Sequence, residues 1–139
     1  MTVEASLRET TPRGIETYDP DRVAGVAVKA YARIADAWAL KNEIAAELIG
    51  ASERTWARMK KPGWAGRLSK DQMLRISAMS GLYKALHLYF SDTLADRWVG
   101  LENSGPYFGG RSPLEIMRRG GLPAIMDTRD YVDALRGGG

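Results

Sequence analysis

Between Asn42 and Lys61 the chain reads NEIAAELIGASERTWARMKK, and its second half carries hydroxyls and cations at helical spacing: Ser52, Arg54, Thr55 and Arg58, followed by Lys60 and Lys61. Arginine can donate two parallel hydrogen bonds to a guanine edge, a hydroxyl can bond to bases or phosphates, and lysine pairs with phosphate. Gathered on one helix face, these side chains suit a DNA major groove. From Ser52 to Asp71, a stretch that also includes Arg67 and Lys70, six cations stand against two anions. That leaves a local net charge of +4 in a chain of +3, so the remainder is near −1. Concentrated positive charge of this kind binds a polyphosphate surface through counterion release. A solvated helix face is the plainer reading of the same charges. Glu53 departs from a phosphate-facing surface, although a carboxylate can accept a bond from cytosine.

The elements that would position this face are a helix, a tight turn and a second helix. Ala46 is small where two helices must cross, Gly50 sits where the chain must reverse, and Ala45, Ile49, Ala51, Trp56 and Met59 fall on the inward positions. Ser52 is placed to cap the second helix, and Lys61, Pro62 and Gly63 to stop it. This is the pattern of a helix-turn-helix. Trp56 is large for a position usually held by a branched aliphatic side chain, which bears on the angle between the helices.

The chain is expected to be all-α. Met1 to about Tyr18 is polar, aperiodic and interrupted by Pro12 and Gly14, which predicts a mobile tail over residues 1–18. Asp19 and Pro20 then open a long amphipathic helix whose predicted inward residues are Val23, Val26, Ala27, Ala30, Tyr31, Ile34 and Trp38. Ser69 and Gln72 form a capping-box pair ahead of a helix through Tyr89 that should join the two halves, with Gly81 as a point of weakness or bending. Ser91 or Asp92 can cap a short helix up to Gly100. After a loop rich in Gly and Pro, Ser112 and Pro113 open a helix that Gly120 and Gly121 end, and a last helix runs from Leu122 to Leu135. The expected division is residues 1–18 as tail, 19–80 as DNA-binding domain, and 81–139 as partner-binding and dimerisation domain.

Composition excludes several classes. With 139 residues and 45% apolar content the chain can bury one ordinary core, or two small packed subdomains. It has no cysteine and a single histidine, His87, which lies in an apolar run and is expected to be packed. No disulfide framework, thiolate zinc site or Ser/His/Asp grouping follows from such a set, and neither a cofactor nor a metal is expected. GGRSPLE lacks the lysine and hydroxyl of a phosphate loop. With no apolar run of membrane-spanning length and no signal-peptide pattern, the expected location is the cytoplasm of a prokaryote.

From Leu88 to Gly138 the sequence is more distinctive. Trp98 follows a short acidic-capped helix. Pro106, Tyr107, Phe108, Gly109 and Gly110 make an aromatic and glycine loop, Arg111-Ser112-Pro113-Leu114-Glu115 follows, and a double glycine precedes a final helix ending in Leu135, Arg136 and Gly137. With the upstream motif, the segment from about Asp21 to Gly138 resembles the Xre/MbcA/ParS family of antitoxins. The resemblance implies a two-part antitoxin of a type II toxin-antitoxin pair. Its partners would be a RES-domain toxin, of a class similar to NAD-consuming and ADP-ribosylating enzymes, and the operator DNA of its own operon, bound as a homodimer or in a higher toxin-antitoxin assembly.

The helix spacing and charge pattern put the expected DNA contacts on Ser52, Arg54, Thr55, Arg58, Lys60, Lys61 and Arg67, and position within the resembling segment puts the expected toxin contacts on Arg111, Arg118, Arg119, Tyr131, Leu135 and Arg136. The final helix and tail are the expected plug of a toxin pocket. Two other readings stand beside it: a free-standing regulator, and an interaction protein whose helix-turn-helix has lost DNA binding. Arg118 and Arg119 can equally complement the dipole of their own helix. Trp98, Tyr107 and Phe108 read as packing aromatics.

Overall fold

The computed structural model describes residues 19–137, and the expected N-terminal tail lies outside them. The fold is all-α, with six helices and no strand among the described residues. In chain order the helices are α1 (Pro20–Ala37), α2 (Asn42–Leu48), α3 (Glu53–Met59), α4 (Lys70–Tyr89), α5 (Asp92–Arg97) and α6 (Pro113–Arg136), and a single 3-10 turn, Trp98–Gly100, follows α5.

Asp19 caps α1 by accepting from the Asp21 amide at 3.0 Å, and Pro20 occupies the first turn, where its missing N–H removes no helical bond. The buried side of α1 carries Ala24, Val28, Tyr31, Ile34 and Ala35, with Trp38 just beyond. Tyr31, Ile34 and Trp38 are buried as predicted and Ala27 packs against the core, whereas Val26 and Ala30 depart from the prediction. Val26 is 63% exposed and Ala30 is also outside, because a row through 24, 28, 31, 35 and 38 lies on the opposite side of the helix from Val26. The small Ala24 is the inward residue, a preference that hydrophobicity alone does not disclose. The helix ends through Ala39 at φ 56, a left-handed residue usually supplied by glycine.

Gly50 (φ 69) makes the turn between α2 and α3. Its amide donates to the Glu47 carbonyl at 3.0 Å and the Ala51 amide to the Ala46 carbonyl at 2.9 Å. Ala45, Ala46, Leu48 and Ile49 are buried, as are Trp56 and Met59 from α3. The Tyr31 hydroxyl donates to the Ala45 carbonyl at 2.7 Å, and its ring meets Trp56 edge-on at 5.2 Å. Burial pushes the Tyr31 phenol well above its ordinary range, so it stays a donor. Trp56 therefore fills the space between α1 and the motif, and its buried indole N–H has no partner among the described residues.

Helix α4 opens on the expected capping box, with the Ser69 amide donating to Gln72 Oε1 and the Gln72 amide to Ser69 Oγ, both at 3.0 Å. It continues unbroken through Gly81. The glycine serves a close approach: a Cβ there would stand 2.4 Å from the Arg129 guanidinium of α6. Ser112 caps α6, accepting from the Glu115 amide at 3.1 Å, and Gly121 (φ 67, ψ −150) interrupts the helix. Pro123 falls in the first turn after this break. The predicted pair of terminal helices is thus two helical runs separated by one non-helical residue.

His87 is packed as expected, its ring 4.3 Å from that of Tyr83, and it also has polar partners that its apolar sequence neighbours do not suggest. Its Nδ1 lies 2.9 Å from Asp92 Oδ1 and its Nε2 2.7 Å from Asp96 Oδ1, so the ring bridges the end of α4 to α5. Desolvation lowers its pKa, but the hydrogen bonds and charges of the two carboxylates outweigh this and hold the value above the ordinary 6.5. The stabilisation from the protonated clamp is fully present below that ordinary value and is lost as pH rises through the raised one. A two-dimensional NMR titration should show His87 titrating later than a free imidazole. Shift changes should also appear at Asp92 and Asp96, and their amide protection should fall on the alkaline side of the transition.

Candidate DNA and partner surfaces

The outer side of α3 presents Arg54 and Arg58 to solvent, with Lys61 exposed just past its end. None of these three has an ion-pair partner among the described residues. The other expected DNA residues are placed differently. Ser52 caps α3 by accepting from the Thr55 amide at 3.0 Å and donating its hydroxyl to Thr55 Oγ1 at 2.9 Å. Arg58 Nη2 reaches the same Thr55 oxygen at 3.4 Å, so the two hydroxyls brace the first turn. The Lys60 ammonium donates to Asn42 Oδ1 at 2.6 Å and lies 5.6 Å from the Trp56 ring centroid, tying the end of α3 to the start of α2. Arg67 pairs with Asp21 at 3.1 Å, at the start of α1. The freely presented charge is therefore Arg54, Arg58 and Lys61, with Glu53 exposed beside them.

Sequence reasoning missed Lys29. It shares a cleft of about 590 Å³ with Lys60 and Lys61, over a floor that includes Val26, Met59 and Trp64. Lys29 and Lys61 are 32 positions apart, beyond what helical spacing can connect. The exposure of Val26 on α1 becomes intelligible here, since it lines that cleft.

In the C-terminal half, the aromatic residues make a cluster. Trp98 and Tyr131 stack at 6.4 Å, Phe108 meets Tyr131 edge-on at 5.0 Å and Trp98 at 5.8 Å, and Phe90 stacks on Trp98 at 6.4 Å. The loop that delivers Phe108 closes on itself: the Asn103 amide donates to the Arg111 carbonyl at 3.1 Å and the Gly110 amide to the Asn103 carbonyl at 2.8 Å. Gly109 and Gly110 take positive φ, 60 and 89, to make that closure. The Tyr107 hydroxyl donates to Asp127 on α6 at 3.2 Å, and desolvation, followed by the charge and hydrogen bond of that carboxylate, raises its pKa.

The expected toxin residues divide accordingly. Tyr131 is a half-buried member of the aromatic cluster, so insertion into a partner would require that packing to open. Leu135 is half-buried, and Arg136 is exposed with Asp133 at 3.6 Å. Arg119 pairs with Glu115 at 2.9 Å on its own helix. Arg118 pairs with Glu47 of α2 at 2.6 Å, a link between the halves that the dipole reading does not contain. Arg111 is exposed on the closed loop. Leu88, Tyr89 and Leu94 add exposed apolar surface around the α4–α5 junction.

A helix-turn-helix whose second helix carries exposed arginines, joined through α4 to a second helical half, defines a two-part helix-turn-helix protein. Residues 19–80 match the family model for the antitoxin Xre-like helix-turn-helix domain, and residues 85–138 match that for the antitoxin Xre/MbcA/ParS C-terminal toxin-binding domain. The chain belongs to this Xre/MbcA/ParS antitoxin family. It is also 36% identical over 113 residues, 80% of this chain and 84% of the relative, to the uncharacterised protein y4oB of Sinorhizobium fredii (strain NBRC 101917 / NGR234). No helix among the described residues is long and apolar enough to cross a membrane.

Tyr131→Ala should lower the stability of the isolated chain by about 2–4 kcal/mol in a urea melt, because it empties one corner of the aromatic cluster. Arg136→Ala should change it by less than about 0.5 kcal/mol, since its partner lies on the exposed last turn.

Proposed function

We propose that this antitoxin neutralises a RES-domain toxin that consumes NAD or transfers ADP-ribose, and binds its own operator to restrain its own transcription. Support for the toxin class comes from the pattern of the C-terminal half, the closed loop from Asn103 to Arg111 that leads into Ser112-Pro113-Leu114-Glu115, and the terminal helix. The observation that carries the DNA arm is the outward display of Arg54, Arg58 and Lys61 without intramolecular ion pairs. Cations held by their own protein would have to break those pairs before meeting phosphate, and these do not. Residues 19–80 form the DNA-binding part of this reading and residues 81–139 the toxin-binding and dimerising part. The chain pairs through apolar surface such as Leu88, Tyr89 and Leu94, and two motifs then address a pseudo-palindrome.

At the toxin-facing end, the exposed Arg136 and the adjoining Leu135 are the parts of the final helix best able to enter a pocket. A cationic and apolar tip suits a site built for a charged dinucleotide. Arg111, Arg118 and Arg119 lie nearer the start of α6 and are assigned to the rim of the same contact. Function in the cytoplasm follows from both partners.

Arg54→Ala and Arg58→Ala should each weaken operator binding by about 1–3 kcal/mol and relax sequence preference, read by fluorescence anisotropy at fixed salt. Unchanged binding by both variants would remove these residues from the reading face. For the toxin arm, the chain should be co-expressed with the product of the neighbouring gene while cellular NAD is measured. Copurification, with NAD lost only when this chain is absent or truncated after Asp130, is the expected result. Full protection by the truncated chain would exclude the terminal helix as the neutralising element.

A further inference from the structure

The helix-turn-helix is held from outside its own sequence. Glu47, in the last turn of α2, accepts from Arg118 Nε of α6 at 2.6 Å, across 71 positions of chain. The next residue, Leu48, offers its carbonyl to Arg75 Nη1 of α4 at 3.2 Å. That carbonyl belongs to the last turn of a helix, where intrahelical donors run out, so a guanidinium there satisfies an otherwise orphaned acceptor. Asp71 fixes the same guanidinium through Nε at 2.7 Å. On its far side, Arg75 Nη2 lies beside Gly121, where a Cβ would stand 3.4 Å away. Arg75 is therefore wedged between the turn of the motif and the break in α6.

Other contacts hold different parts of the motif. Tyr31 and Trp56 fix the inner sides of α2 and α3, and Lys60 with Asn42 fixes their far ends. The side-chain bonds to Glu47 and Leu48, where the chain leaves α2 for the turn, come from α4 and α6.

We infer that Arg75 and Arg118 are positioning residues for the DNA-reading helix, setting the angle of α3 from the C-terminal side of the molecule. This rests on the proposed DNA-binding function. The Arg118–Glu47 pair is partly exposed on both sides, at 36% and 45%. Such a pair contributes little to global stability and biases a local equilibrium by no more than about five-fold. Arg75, with 19% side-chain exposure and two partners, should exert the larger effect.

The test uses the full chain, with Glu47→Ala, Arg118→Ala, the exchanged pair Glu47→Arg with Arg118→Glu, and Arg75→Lys. Two readouts are taken beside the melting temperature: hydrogen exchange at the Gly50 and Ala51 amides, and affinity for a labelled duplex carrying the sequence upstream of the gene. Glu47→Ala and Arg118→Ala should leave the melting temperature in place, speed exchange at both amides, and lower affinity by about two- to five-fold. The exchanged pair should restore both readouts. Arg75→Lys should cost more than either, because one ammonium cannot hold Asp71 and the Leu48 carbonyl with the geometry of a guanidinium. Wild-type exchange rates at Gly50 and Ala51 in all variants would overturn the inference, as would faster exchange that the exchanged pair does not restore. If the wild-type chain binds no duplex, the DNA-binding reading fails separately, and the exchange data still decide whether these arginines hold the turn.

Discussion

Helix α4 imposes the constraint from which the rest follows, because its apolar side chains do not lie on one stripe. Ile76, Ala78, Met79, Leu82, Ala85 and Leu86 are all buried, and at about 100° per residue they spread over about half of the helix circumference. A helix of this kind cannot lie on a surface and must be covered from more than one side. Helix α1 covers it from one direction and α6 from another, and one continuous buried cluster runs from Val28 through Met79 and Leu86 to Val132. The two sequence families that match the chain meet within this helix, at residues 80 and 85. What is a boundary in sequence is an unbroken core in space.

This arrangement relates the two surfaces. The cationic side chains of α3 project from a scaffold whose inner wall is Tyr31 and Trp56, while the final helix is anchored by Phe108, Trp98 and Tyr131. Aromatic rings do the packing in both places, and charged groups are left at the periphery. The division leaves Arg54, Arg58 and Arg136 exposed without weakening the interior. Helix-dipole reasoning and family resemblance treat Arg118 as a local or intermolecular residue. Its partner in α2 makes it an intramolecular one as well.

The helical class and its punctuation were legible in the sequence because they are decided locally. Asp19, Ser52, the Ser69–Gln72 box and Ser112 each cap the helix predicted for them, and Gly50 turns where the pattern requires. Errors arose where distant chain met. On α1 the periodicity finds Tyr31, Ile34 and Trp38, but apolarity alone includes Val26, which lies on the opposite side of the helix, and passes over the buried Ala24. The chain reversal at Ala39 carries no glycine to announce it. The apolar sequence neighbours of His87 point to packing, which Tyr83 provides, but do not reveal Asp92 and Asp96, which arrive from the next helix. Among the candidate DNA residues, spacing located the outward face of α3. It could not foresee that Lys60 and Arg67 would find partners 18 and 46 positions away.

The shared core also has an order in time. A ribosome releases α1, α2 and α3 before α4, which packs against α1, and α6, which packs against both α4 and α2, emerges later still. Vectorial synthesis therefore keeps apolar surface uncovered until α6 has emerged, which is the period when nascent chains are most exposed to chaperones and proteases. Helices made later complete the shelter of those made earlier.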